Sequence, residues 1–237
     1  PEVSNEQAKL RASSFEWGTQ FSESGSGICH QIMAEDYASP GDLIIGSDSH
    51  TCTAGALGAF ATGMGATDVA VAMALGKIWL RVPETFKVVV NGLLQKGVFS
   101  KDVILHVIGT LGADGGTYKS LEFQGSTVKA MEMSERLTLS NMAVEVGAKV
   151  GLVFTDHVTK EYLEKMGRGE KFRELVSDED ASYEKALEVD GSSLKPMVAA
   201  PHTVDNVKTI EEVEGDELFE AEEGWQVYQS YLAEEKE

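Results

Sequence analysis

The chain has 237 residues, 42% of them hydrophobic, and a formal net charge of −19. That length allows one large domain or two small ones, and the charge argues against nucleic acid or an anionic membrane surface as a partner. No apolar run approaches the roughly 20 residues a membrane span needs. No signal peptide opens the chain, and Cys29 and Cys52 form no disulfide framework, so a cytoplasmic protein is expected. The charge is uneven: residues 211–237 hold 11 acidic residues and one lysine, leaving −9 for the first 210. The chain opens on Pro1 rather than Met, which points to processing or trimming.

Residues 5–21 are expected to be helical, with Leu10, Ser14, Trp17 and Phe21 on one side. A flexible Ser24-Gly25-Ser26-Gly27 loop follows. Pro40-Gly41-Asp42 signals a turn into a buried strand at residues 43–45. At the strand's end stands Gly46-Ser47-Asp48-Ser49-His50-Thr51-Cys52-Thr53, with Gly55, Gly58, Gly63 and Gly65 behind it. Strand ends of α/β sheets are where ligands sit. Residues 54–76 are almost all small or apolar and are expected to form buried scaffold, closing with a helix over 68–76. The pattern changes at Val82-Pro83-Glu84. Residues 86–91 then read as a strand, 101–111 as a helix capped by Ser100, and 118–123 as a second strand. Ser134 is expected to cap a helix reaching about 146, before a third strand at 150–154. This β-α-β-α-β alternation over 85–154 implies an α/β fold with at least partly parallel strands. A short helix at 159–166, a strand at 186–189, an irregular stretch at 198–213 and the acidic stretch complete the chain.

Candidate chemistry gathers at four places. Asp48 lies two residues before His50 and on extended backbone would point the same way, so both can address one site with His30. Carboxylate and imidazole together can hold a metal-bound water or pair with each other; a satisfied turn with Asp48 and Ser49 capping backbone amides fits the spacing equally. Ser49 and His50 are not read as a nucleophile–base pair, because neighbouring strand side chains diverge and Gly-x-Ser-x-Gly is absent. The glycine series does not match G-x-G-x-x-G, and Asp68 would repel a pyrophosphate, so close backbone packing explains it better. Asn141 and Glu145 are spaced i, i+4, with Thr138 on the same face, either as a solvated stripe or as an amide and carboxylate facing a cleft. Cys29 and Cys52 are too few for an iron–sulfur cluster, which needs three or four thiolates. Both are read as buried small residues lining the site.

At these residues a family resemblance emerges. SGSGICHQ (24–31), PGDLIIGSDSHTCTAGALGAFATGMGATDVA (40–70), KIWLRVPETFKVVVNG (77–92), KDVILHVIG (101–109) and LSNMAVEVGAK (139–149) resemble the aconitase superfamily. Within it, the likeness is to the large subunits of 3-isopropylmalate dehydratase and homoaconitase, over about 5–215. The resemblance implies aconitase-like three-layer α/β domains with partly parallel sheets, incomplete here. Residues 1–83 would belong to a first domain, 84–215 to a second, and 216–237 would be an acidic tail. It implies a hydro-lyase of leucine or lysine biosynthesis that dehydrates a hydroxy di- or tricarboxylate and rehydrates it with the hydroxyl moved to the next carbon. In such enzymes a 4Fe–4S cluster acts as Lewis acid through an iron free of cysteine.

By the same resemblance His30–Asp48 and His50–Glu145 are carboxylate–imidazole pairs that hold imidazolium and help a hydroxyl leave. Ser49 and Asn141 are substrate-carboxylate or cluster-shell contacts, and Thr53 is a further substrate-side group. The departures matter too. The family's cluster cysteines lie in Ser-Cys-Thr-Asn and Cys-x-x-Cys blocks that this chain lacks, so no bound cluster is expected. The serine base and substrate-reading arginine belong to a swivelling domain, often a separate small subunit, which is the expected partner. The stretch after residue 215 matches nothing in the family. A central piece or degenerate member, inactive alone, is therefore expected. The alternatives are a cluster-free metalloprotein using His30, Asp48 and His50 for zinc or iron, and a non-catalytic module recruiting a partner through its acidic tail.

Overall fold

A computed structural model describes residues 2–213, so the acidic tail lies outside the described residues. Helix α1 (Glu2–Trp17) ends at Gly18, whose φ of +67° is open to glycine. It starts and ends earlier than the expected 5–21, stopping before Phe21, and Leu10 and Trp17 are exposed rather than packed. Helix α2 (Cys29–Ile32) continues as a π-helical turn over Met33–Tyr37 and leads into strand β1 (Leu43–Gly46). Strand β2 (Phe60–Gly63) pairs parallel with β1, Leu43 opposite Phe60 and Gly46 opposite Gly63.

The segment joining these strands is a 3₁₀ helix, Ser49–Leu57, buried from Cys52 onward. Its small residues allow backbone-to-backbone packing: a Cβ on Gly55 would lie 2.0 Å from the Gly151 carbonyl oxygen. The expectation of buried small-residue scaffold thus holds for residues 54–57. It fails for helix α3 (Ala66–Leu75), which buries none of its residues and leaves Val71, Met73 and Leu75 exposed. Composition fixes what a helix can bury, not whether anything lies against it.

The second sheet contains β3 (Thr85–Asn91), β4 (Ser120–Gln124), β5 (Val150–Val153) and β6 (Lys185–Asp190) in the order β5-β4-β3-β6, all parallel. Helix α4 (Ser100–Leu111) links β3 to β4, and α5 (Ser126–Ala130) and α6 (Met133–Asn141) link β4 to β5. This is the α/β architecture with parallel strands that the alternation implied. Phe86, Val88 and Val90 of β3 turn into a core with Ile104, Ile108, Leu121 and Phe123. A second cluster joins Ala34, Ala38, Ala56, Leu57 and Ala61 to Met133.

Neither expected serine caps its helix. The Asp102 carboxylate accepts the Phe99 N–H at 2.7 Å, and that of Glu135 accepts the Glu132 N–H at 2.9 Å, so the carboxylates set both starts and the serines fall inside. The stretch 198–213, expected to be irregular, takes part in an antiparallel pair, β7 (Met197–Ala199) and β8 (Val207–Thr209).

Helix α7 (His157–Lys165) is capped by Asp156, whose carboxylate accepts the N–H groups of Val158 and Thr159 at 3.0 and 3.4 Å. Fully buried Arg136 donates to both Asp156 oxygens at 2.8 Å and stacks on Phe154, 5.1 Å from the ring centroid. Burial pushes the Asp156 carboxyl up, but the guanidinium outweighs it and holds the group below its usual value. A depressed carboxyl contributes stability above its unfolded pKa, about 3.9 for Asp. That contribution is lost as pH falls through the lower folded value. Asp156→Asn strips the buried guanidinium of its counter-charge and is predicted to lower stability by about 3 kcal/mol, read as a fall in the urea midpoint at pH 7. The gap to the unmutated chain should shrink below pH 4.

Candidate functional site

The site is built where β1 ends. Asp48, still extended, serves as N-cap of the 3₁₀ helix, and its Oδ1 accepts the His50 N–H at 2.7 Å. The same oxygen lies 3.0 Å from His30 Nε2, brought in by α2. One carboxylate oxygen thus ties the helix start to a separate segment. The His50 amide holds the Asp48 carboxyl below its usual range, partial burial opposing and the His30 ring adding to the effect. His50 Nε2 stands 3.4 Å from Glu145 Oε1, and the two imidazole centroids are 6.3 Å apart.

Glu145 reaches His50 because α6 tightens into a 3₁₀ turn over Met142–Val146. Asn141, Glu145 and Thr138 therefore do not share one continuous α-helical face. Both Asn141 and Glu145 are half-buried, unlike a solvated stripe. Asn141 Nδ2 donates to Thr53 Oγ1 at 2.8 Å, and Thr53 Oγ1 donates to the His50 carbonyl at 2.6 Å. Thr138 instead donates to the Ser134 carbonyl within its own helix, at 3.1 Å.

Ser49 Oγ lies 3.2 Å from His50 Nδ1. The two side chains do not diverge as strand neighbours would, since Ser49 opens a helix rather than continuing the strand. The cysteines split. Cys52 is buried, its Sγ donating to the Asn141 carbonyl at 3.3 Å, and burial pushes its thiol up to about 12. Cys29 is exposed, contrary to the expectation for both, because α2 buries none of its residues. Close backbone packing, as expected, explains Gly55 and Gly63, where a Cβ on Gly63 would fall 2.7 Å from the Asp48 carbonyl oxygen, whereas Gly58 and Gly65 face the side chains of Thr155 and Asp68.

A cavity of about 220 Å³ is lined by Cys29, His30, Met33, Ile45, Asp48 and Thr53. Another, of about 350 Å³, is lined by Ser47, Ser49, Gly63, Val144 and Lys149. Ser47 and Lys149 were not singled out from the sequence. The only hint is that Lys149 ends the run that also holds Asn141 and Glu145. Among the described residues, no group of three or more His, Cys, Asp and Glu could hold a metal ion, so side-chain placement lends no support to zinc or iron on His30, Asp48 and His50.

The family model for the aconitase family (aconitate hydratase) matches residues 2–236. The match runs through the acidic stretch, correcting the expectation that it stands outside the family. The chain is 60% identical to a 3-isopropylmalate dehydratase large subunit of Elusimicrobium minutum over 212 residues, 90% of this chain and 51% of that protein. It is 56% identical to 3-isopropylmalate dehydratase large subunit 1 of Thermotoga maritima over 217 residues, 92% of this chain and 52% of that protein. A probable methanogen homoaconitase large subunit of Methanosarcina mazei is 48% identical over 203 residues, 84% of this chain and 52% of that protein. The chain spans about half the length of these curated relatives.

The family implies a 4Fe–4S cluster. The donor set here does not fit one: of two cysteines, one is exposed and the other is a buried thiol held protonated, while a cluster needs three or four thiolates. With a family match over nearly its whole length, and the Asp48–His50 turn folded against Glu145, the chain belongs to the aconitase family.

Proposed function

We propose that this chain supplies the imidazole–carboxylate part of the active site of a hydro-lyase acting on isopropylmalate- or homoaconitate-type hydroxy acids. The observation that carries the reading is the meeting of two such pairs, His30 with Asp48 at 3.0 Å and His50 with Glu145 at 3.4 Å, at the end of β1. Dehydration breaks a C–O and a neighbouring C–H bond. The departing hydroxyl takes a proton and leaves as water, and the carbon-bound proton passes to a base. An imidazole backed by a carboxylate can deliver the first proton and take it back on rehydration. Asp48, held ionised, keeps that partnership across neutral pH.

Thr53 sits beneath His50 and orients its backbone, while Ser49 and Asn141 offer polar groups to a substrate carboxylate. Lys149, on the cavity that Ser49 lines, adds a cation for the same purpose. No step is routed through a cluster, whose ligand set these residues do not form. The base for the carbon-bound proton is assigned to a small swivelling-domain subunit, by the family resemblance and by the "large subunit" in the relatives' names. The isolated chain is accordingly proposed to be inactive. Division into 1–83 and 84–215, and a cytoplasmic setting suited to two free thiols, belong to the same proposal. No described helix is long and apolar enough to cross a membrane.

Two measurements follow. In the large subunit extended to the relatives' full length and assembled with its small subunit, Glu145→Gln is predicted to cut kcat at least ~100-fold, with the circular dichroism unchanged. Turnover within threefold of the parent would remove Glu145 from the chemistry. In thiol labelling of the native chain, one group should react quickly, and Cys29→Ser should abolish it. Cys52 should react only after unfolding, as its burial requires.

A further inference from the structure

The Arg168 guanidinium makes five hydrogen bonds, none of them to a carboxylate. Its Nη1 donates to the carbonyls of Ala34 and Glu35 at 3.3 and 3.1 Å. Its Nη2 donates to the carbonyls of Tyr37 and Ala38, the latter at 2.8 Å, and to the Ser39 hydroxyl at 2.8 Å. These are the carbonyls at the end of the helical stretch that begins at Cys29 and runs through Tyr37. The last turn of a helix leaves such carbonyls without partners, and a cation there also complements the helix dipole. A planar fork offers donors from separate nitrogens in one fixed plane, whereas a lysine offers a single nitrogen on a flexible stem. Arg168 is itself held from behind: it follows Gly167, at a φ of +71°, and its N–H donates to the Leu163 carbonyl at 2.7 Å.

The clamp matters because of what hangs from each side of it. Upstream, His30 sits on α2, a helix of four residues with no side-chain cap and no buried residue. Downstream, the turn fixed by Ser39 N–H donating to Asp42 Oδ2 at 2.9 Å leads into β1 and so to Asp48. Buried Ala34 and Ala38 anchor the stretch by apolar contact, but methyl packing leaves rotation about the helix axis loosely set. Directional hydrogen bonds remove that freedom.

We propose that Arg168 is a positioning residue of the site: by capping the carbonyl end of residues 29–37 it fixes the helix rotation that keeps His30 on Asp48. The proposal rests on reading His30–Asp48 as a working pair. Its test measures the pairing itself rather than turnover, so failure of the hydro-lyase reading would leave the result interpretable.

The experiment follows the imidazole ¹⁵N signals of His30 in the chain while Asp48 is changed to Asn. With Arg168 present, Asp48→Asn should move the His30 signals and leave those of exposed His157 in place. In Arg168→Gln that response should fall below half, with the amide signals of β3–β6 unchanged. Should Arg168→Gln disturb those core amides, Arg168→Lys carries the test, since it keeps the charge and loses the fork; its response should also fall below half. A full His30 response in either variant with an intact core would overturn the proposal.

Discussion

The site depends on a close approach between two backbones. Gly55 of the 49–57 helix lies against the Gly151 carbonyl of β5, and a Cβ on Gly151 would in turn meet that of Ala143 at 2.8 Å. A stack of residues with little or no side chain thus joins the β1–β2 pair to the second sheet. The rest of the seam follows from that contact: Cys52 on the Asn141 carbonyl, Asn141 on Thr53, and His50 facing Glu145. A side chain at residue 55 would force the helix outward and part all of these together, at a cost of about 1–3 kcal/mol from overpacking alone.

Within the seam the two imidazole–carboxylate pairs are held differently. Asp48 combines tasks, since one oxygen caps the helix and meets His30. Its removal disturbs local structure and chemistry at once. Glu145 touches His50 from a separate 3₁₀ turn and caps nothing, so its substitution isolates the pair. His30 stands apart again, on a helix too short to bury a side chain, and takes its place from the far end of its own segment through Arg168.

The second sheet was legible because strands and helices alternate with clear punctuation, and Phe86, Val88 and Val90 carry the period of a strand with one buried face. The spacing of Asp48 and His50 left a shared site and a capped turn equally open, and Asp48 both caps the helix and meets His30. Their pairing with His30 and Glu145 came from family resemblance, since no local period connects residues so far apart. What stayed hidden has physical reasons. Strand β2 is four residues of small and apolar character inside a longer run of the same kind. Helix α3 looks buried by composition and is not. The caps at Ser100 and Ser134 were displaced by Asp102 and Glu135, which satisfy the first amides from within the helix. Arg168 gave no sequence signal, because its guanidinium partners, four backbone carbonyls and the Ser39 hydroxyl, lie more than a hundred residues away.

The most direct test of the central claim, that the Gly55–Gly151 seam brings His50 to Glu145, is the imidazole ¹⁵N spectrum of the chain before and after Glu145→Gln. The His50 signals should move while those of His157 stay fixed. Unmoved His50 signals in a folded Glu145→Gln chain would contradict it.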